Sequence, residues 1–145
     1  MRKILTILVG AVLTVAVAAP AASASTGPVT QVIKVKAVHT SATFHGNSFS
    51  FTESLWQDGK KVGHDAVTCT FPSPSPTAVG HCTGAVNFPG SGYIFITATT
   101  DATDNGAHGR VVGGTGAFTN ATGRLLVVSN DPTGNVEWIT LTFHV

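Results

Sequence analysis

Glu53 is the residue of this sequence best placed to do chemistry in an apolar setting. It lies on a stretch in which Phe49, Phe51 and Leu55 recur at every second position. Alternate residues of a β-strand point to the same face, so the carboxyl group shares its face with large apolar side chains. On an inward face, loss of water raises the pKa of the carboxyl group and suits it to proton transfer or to stabilising a developing cation. We therefore predict a catalytic Glu53, with Phe49, Phe51 and Leu55 as ligand-binding residues.

Two further polar side chains could reach the same ligand. Arg110 could bind a carboxylate or a phenolate group, and Tyr93, the only tyrosine, follows a turn and could reach the mouth of a barrel. We include both in the predicted ligand site. The alternative for Arg110 is a solvated position on the outer wall. The alternative for Glu53 is an outward position at a bulge, or a structural ion pair with Arg110 or Arg124.

Several familiar site patterns are missing from the sequence. The six histidines show no His-x-His, His-Glu-x-x-His or paired-Cys spacing, so we predict no metal site. No Gly-x-Ser-x-Gly nucleophile elbow is present. Counted from Gly114, the third glycine of a dinucleotide fingerprint would fall at Thr119, which argues against a nucleotide-binding loop. We predict no cofactor.

The first residues have the pattern of a secretory signal peptide. Arg2 and Lys3 precede an apolar run that ends in Ala-Ser-Ala at 22–24, the small-x-small pattern read by signal peptidase. The run is shorter than the ~20 residues of a membrane span, and an uncleaved anchor is the alternative. We predict a signal peptide over 1–24, one secreted, extracellular domain over 25–145, and no stable membrane association after cleavage.

Charge and cysteine content agree with an exported domain. Without the two basic residues of the leader, the domain is close to neutral and its few lysines are scattered, which argues against a nucleic-acid partner. Cys69 and Cys82 both lie in the predicted domain, and an oxidising compartment favours one intramolecular disulfide between them. Their spacing is not that of a redox motif.

Runs rich in Val, Ile, Thr and Phe alternate with turn clusters along the predicted domain, and no segment has a convincing helical period. Short connections indicate an antiparallel meander, and closure into a barrel removes its two free edges. We predict an all-β, eight-stranded antiparallel up-and-down barrel, with a two-sheet sandwich as the alternative. The predicted strands span 29–43, 49–57, 61–71, 78–88, 93–100, 110–112, 124–129 and 136–145.

The most specific local feature is the glycine-rich sequence Val-Val-Gly-Gly-Thr-Gly-Ala-Phe-Thr-Asn-Ala-Thr-Gly at 111–123. We expect structural roles for its glycines, because glycine permits positive φ, sharp bends and bulges. Gly113, Gly114 and Gly116 predict positive φ and a bend, Gly123 predicts a bulge, and Phe118 is expected to return to the core.

This stretch resembles the V-[VI]-G-G-T-G-x-F-x-x-A-x-G signature of dirigent proteins and related bacterial barrels of the allene oxide cyclase/dirigent superfamily. The order of the surrounding features is similar too: Trp-Gln-Asp-Gly-Lys-Lys-Val-Gly at 56–63, two cysteines, then a turn containing Phe-Pro-Gly. The likeness covers about 49–145. Plant dirigent proteins carry Arg before the final glycine, where this chain has Thr122, which argues against plant-type radical coupling.

The resemblance implies a barrel that holds a small hydrophobic molecule and steers its cyclisation or coupling, as a cofactor-free cyclase or isomerase. Allene oxide cyclases also place a Glu on an early strand that lines the cavity. Related barrels form dimers or trimers, so a homo-oligomer is consistent with the resemblance. The alternative is a non-catalytic carrier of small ligands or an extracellular interaction module. An open pocket containing Glu53 or Arg110 favours the first reading, and a filled interior favours the second.

Overall fold

The computed structural model describes residues 28–73, 78–100 and 106–145, which form a closed β-barrel. Eight antiparallel strands follow one another around the barrel in chain order, and the last pairs with the first. This confirms the predicted up-and-down barrel and excludes the sandwich. The strands are β1 (Gln31–His45), β2 (Ser48–Gln57), β3 (Lys60–Thr70), β4 (Gly80–Phe88), β5 (Gly92–Thr100), β6 (Gly106–Gly114), β7 (Thr122–Ser129) and β8 (Val136–His144).

Some predictions fall on parts of the chain outside the described residues. The predicted signal peptide over 1–24 is among them, as are parts of the connections between the third and fourth and between the fifth and sixth predicted strands, at 74–77 and 101–105. Within the described ranges, no helix is long and apolar enough to cross a membrane.

The largest difference from the predicted strands concerns β6, which extends over Gly106–Gly114 rather than 110–112. Two glycines that the predicted strand left out, Gly106 and Gly109, occupy strand positions where neighbouring backbones approach closely. A Cβ atom at Gly106 would collide with the carbonyl oxygen of Val127, and one at Gly109 with that of Thr97. Both glycines are therefore needed for close strand packing. A sequence pattern does not distinguish a glycine of this kind from a glycine in a turn.

The glycine-rich stretch forms a different turn from the one predicted. Only Gly116 of its predicted turn glycines has a positive φ, at 61°, and it opens a 3-10 turn over Gly116–Phe118. The prediction was wrong for Gly113 and Gly114, which continue β6. It was also wrong for Gly123, which pairs in regular register with Val111 and Phe143; the bulge of this region lies between β5 and β6 and leaves Val112 as the extra residue. Gly123 instead lets β7 approach β8 without a side chain in between.

The interior of the barrel has a packed half and an open half. The packed half, next to the glycine-rich stretch, is filled by large apolar side chains. Phe118 lies there as predicted, 6% exposed, with its ring 5.9 Å from that of Phe143 and 5.7 Å from that of Phe88. In the open half the inward positions include small residues such as Ala98 and Ala107. These cannot span the interior, so that half is not filled.

Cys69 and Cys82 form the predicted disulfide between β3 and β4. The two residues are direct partners in the antiparallel register, and both side chains face the open half of the barrel. The enclosed loop is short, so the cross-link is expected to stabilise the fold by ~3 kcal/mol.

Candidate functional site

The open half of the barrel contains a cavity of about 900 Å³. This volume lies in the upper part of the range of small-molecule pockets, about 300–1,000 Å³. Its wall is mainly apolar, and the β7–β8 loop at 130–134 contributes to its rim. The large apolar residues of the wall include Phe49, Phe51, Val67, Ile96, Leu125 and Ile139.

Four ionisable side chains meet in this cavity, and we call them the acidic cluster: His39, Glu53, Asp65 and Glu137. They come from four strands that are neighbours in the barrel, β1, β2, β3 and β8. His39 is the register partner of Glu53, and Glu53 is the partner of Asp65. Nε2 of His39 lies 3.1 Å from Oε1 of Glu53 and 3.4 Å from Oε1 of Glu137.

The two central carboxyl groups of the cluster are almost fully removed from water. Glu53 is 2% exposed and Asp65 is 1% exposed. Among the described residues, His39 Nε2 approaches Oε1 of Glu53 without forming a well-aligned hydrogen bond, and no donor reaches either carboxylate oxygen of Asp65. Buried polar atoms without partners are rare in proteins, because each one costs free energy. The cluster is therefore an energetically expensive arrangement, as expected of a functional site.

Burial, and then the nearby charges of Asp65 and Glu137, raise the pKa of Glu53 to about 10. Burial also raises the pKa of Asp65, to about 6. The carboxyl groups interact closely, so their proton belongs to the cluster as a whole. At neutral pH the cluster consequently keeps one carboxyl proton, which joins Glu53 to its acidic neighbours.

A neutral carboxylic acid beside carboxylates and an imidazole can act as a general acid and base. The same cluster also has metal-binding capacity, since donor atoms of His39, Glu53 and Glu137 lie within 4.8 Å of one another. One imidazole and two carboxylates suit ions such as zinc or manganese. A shared proton satisfies the Glu53 carboxyl group without an ion.

The structure brings together three of the predicted site residues: Glu53, Phe49 and Phe51 all line the cavity. Leu55 shares their strand face but lies deeper, fully buried in the packed half.

Tyr93 and Arg110 lie outside the cavity, against the prediction. Each precedes a buried inward residue, Ile94 and Val111 respectively, so strand alternation turns it outward. Arg110 is opposite Arg124 on the outer face, and both are exposed. Neither arginine can therefore form the alternative ion pair with Glu53.

Sequence reasoning missed His39, Asp65 and Glu137. The signal that identified Glu53 was available for each of them, because each alternates with apolar residues along its strand. Asp65 shares its face with Val67 and Cys69, and Glu137 shares its face with Ile139 and Leu141. Only the register shows that these side chains meet.

A row of aromatic rings leads from the acidic cluster to the end of the β1–β2 hairpin. The ring of His39 lies 5.1 Å from that of Phe51, and Phe51 lies 5.2 Å from Phe49. Phe49 stacks at 4.5 Å on Phe44, which is 74% exposed. One wall of the cavity is therefore aromatic from the cluster to the solvent.

Comparisons with known proteins support the fold. No family model and no curated protein matches the sequence. Among solved structures, pyocyanin demethylase is similar with a TM-score of 0.69 and 24% identity, over 78% of this chain and 99% of that chain. The pterocarpan synthase dirigent protein is similar with a TM-score of 0.62 and 17% identity, over 88% and 96% of the two chains. The chain thus has the allene oxide cyclase/dirigent-like barrel fold that its glycine-rich stretch predicted.

Proposed function

We propose that this protein binds a small, largely apolar molecule in the barrel cavity and promotes a proton-transfer step that steers its cyclisation, isomerisation or coupling. One observation carries the proposal: the carboxyl group of Glu53, which is 2% exposed, lies in the wall of a cavity of about 900 Å³ beside His39, Asp65 and Glu137. A carboxylic acid that stays neutral at physiological pH still carries the proton that a general acid must donate.

In the proposed step, neutral Glu53 donates its proton to an uncharged oxygen or nitrogen atom of the ligand. The ligand gains positive charge, which the neighbouring carboxylates of Asp65 and Glu137 stabilise. His39 contacts both Glu53 and Glu137, and its side chain is 21% exposed, so it can pass a proton between the cluster and the mouth of the cavity. Loss of a ligand proton to the Glu53 carboxylate, directly or by way of His39, restores the starting state, so no cofactor is required.

The two structural neighbours support a small-molecule partner. Their names describe a demethylase of pyocyanin and a pterocarpan synthase, both of which are proteins of small-molecule chemistry. The disulfide is compatible with an oxidising compartment, and we propose that the protein is secreted after removal of residues 1–24.

A passive carrier is a less suitable interpretation of the same cavity. A carrier of apolar ligands needs an apolar interior. Buried carboxyl groups cost free energy and do not improve the binding of an apolar ligand. The open interior is common to both functions, and the acidic cluster favours the proton-transfer function.

The test uses the protein, its Glu53→Gln variant and the matched control Asp58→Asn, which removes a carboxylate from the exposed β2–β3 turn. Each is incubated with metabolites secreted by the host, and bound and released molecules are identified by mass spectrometry. We expect the protein and the control to convert a bound compound and Glu53→Gln to bind it without conversion. A ligand that leaves all three proteins unchanged would refute the catalytic function.

A further inference from the structure

We propose that the ligand of this cavity is an organic cation: an apolar, ring-containing molecule whose positively charged nitrogen lies at the acidic cluster and whose ring lies along Phe49 and Phe51. The inference deepens the proposed function and rests on it, since it names the chemical class that the same cavity accepts. It rests on the distribution of charge, on the unpartnered buried oxygens and on the aromatic wall.

Negative and positive side chains are separated between the inside and the outside of this barrel. Of the acidic residues in the described ranges, all but Asp58 line the cavity: Glu53, Asp65, Asp131 and Glu137. The lysines and arginines of the same ranges are all exposed, and none lines the cavity. Low-dielectric walls focus such a field, so the cavity attracts cations and repels carboxylates and phosphates.

The buried carboxyl oxygens lack the donors that usually surround them. Among the described residues, both oxygens of Asp65 are without a hydrogen-bonding partner, and no donor other than His39 Nε2, at 3.1 Å, approaches Oε1 of Glu53. A proton shared by Glu53 and Asp65 joins two of these oxygens and leaves the other oxygen of Asp65 without a donor, and the cluster stays negative even when His39 is protonated as well. Asp131 differs, because Thr133 and the backbone of Asn135 already satisfy its oxygens at the rim. A ligand cation would supply the missing countercharge at the cluster itself.

The aromatic wall suits a ring-containing cation. Phe51 lies next to the His39 ring, and Phe49 continues the row toward the mouth. Aromatic faces attract organic cations, most strongly where water is excluded.

A bare metal ion explains these features less well. The three donors that could hold a metal do not include Asp65, whose two oxygens would remain without partners. A single ion would also leave most of the 900 Å³ cavity empty.

The test compares three naphthalene derivatives of similar size and different charge: the cation (2-naphthylmethyl)trimethylammonium, the neutral alcohol 2-naphthylmethanol and the carboxylate anion of 2-naphthaleneacetic acid. Isothermal titration calorimetry at low salt and neutral pH measures their affinities for the protein. We expect the ammonium compound to bind about tenfold more tightly than the alcohol and about 100-fold more tightly than the acetate.

Variants connect this preference to the cluster. Asp65→Asn and Glu137→Gln should each weaken binding of the ammonium compound about tenfold and leave binding of the alcohol within about twofold. Asp58→Asn, at the opposite end of the barrel, should change neither affinity. Thermal unfolding of each variant checks that the fold is retained.

The possible failures are distinguishable. If the alcohol binds as tightly as the ammonium compound, or the acetate binds most tightly, the cation inference is wrong while the cavity remains a ligand site. If none of the three binds but zinc or manganese does, and Glu137→Gln abolishes metal binding, both the inference and the proposed organic-ligand function are wrong.

Discussion

At the scale of single residues, the unusual feature is a carboxyl group that the fold keeps neutral. Glu53 was identified from strand alternation alone, as were Phe49 and Phe51. The rest of the cluster was not, because His39 and Glu137 are far apart along the chain and meet only through the pairing of β1 with β8 and β2. Alternation predicts which side of the wall a residue faces, whereas the distance between two side chains depends on register.

The raised pKa values lead to a prediction about folding stability. The ordinary pKa of Glu53 is 4.5 and its value in the folded protein is about 10, so between these values the folded state holds a proton that the unfolded chain has lost. Unfolding then releases protons, and stability falls as the pH rises through this window. Asp65, raised from 3.8 to about 6, adds a loss in the same direction at the acidic end.

We expect the free energy of unfolding to fall by on the order of 3 kcal/mol between about pH 5 and pH 8. Glu53→Gln mimics the neutral acid and should flatten this dependence, whereas Asp58→Asn should retain it. Urea unfolding at a series of pH values measures both. A wild-type stability that rises over this interval would contradict the assignment of a buried, protonated carboxyl group.

At the scale of elements, the sequence predicted most strand boundaries to within a few residues, because turns with Gly, Pro, Asn and Asp separate clear runs of strand-forming residues. It was wrong mainly at β6 and its turn. Gly106 and Gly109 of β6 allow neighbouring strands to pack closely. In the turn that follows, Gly116 adopts the left-handed backbone conformation. Glycine can be required either for close strand packing or for a positive φ, and the sequence pattern does not show which of the two applies.

Two glycines of the signature give a matched test of this distinction. A Cβ atom at Gly123 would collide with the backbone of Thr142, so Gly123→Ala should destabilise the barrel by about 2–4 kcal/mol. At Gly113 the nearest atom is Cδ2 of Phe95 at 3.6 Å, and Gly113→Ala should change stability by less than about 1 kcal/mol. Chemical denaturation compares the two variants, and equal losses would show that the packing of β7 on β8 is misplaced.

The link between β3 and β4 can be tested separately. Replacing Cys69 and Cys82 together by alanine should reduce the free energy of unfolding by about 3 kcal/mol. Mass spectrometry without reductant should show the unmodified protein lighter by two hydrogens than its reduced form. Two free thiols in freshly purified protein would contradict the disulfide.

At the scale of the whole molecule, the closed barrel was predictable from the strand count and short connections, but its division into packed and open halves was not. Small inward residues such as Ala98 and Ala107 occur in many packed sheets, and only the barrel geometry shows that nothing lies opposite to fill the space. The glycine-rich stretch lies at the packed end, where it seals the core with Phe118 rather than forming the ligand site.

A pair of neighbouring leucines tests this division. Leu125 and Leu141 are register partners on β7 and β8, but Leu125 lines the cavity whereas Leu141 is fully buried in the core. We expect Leu141→Ala to cost about 3 kcal/mol and Leu125→Ala to cost about half as much, because the space left by a side chain that borders the cavity adds little new void. Thermal or urea unfolding measures both losses. Equal losses would indicate that the open half is filled.

The most direct measurement is a ¹³C NMR titration of the Glu53 side-chain carboxyl carbon, with its signal assigned by comparison with Glu53→Gln. We predict a midpoint far above neutral pH in the free protein, which falls when (2-naphthylmethyl)trimethylammonium binds. A midpoint near the ordinary value of 4.5 would show that Glu53 is ionised and solvated, and it would contradict the buried proton-transfer site.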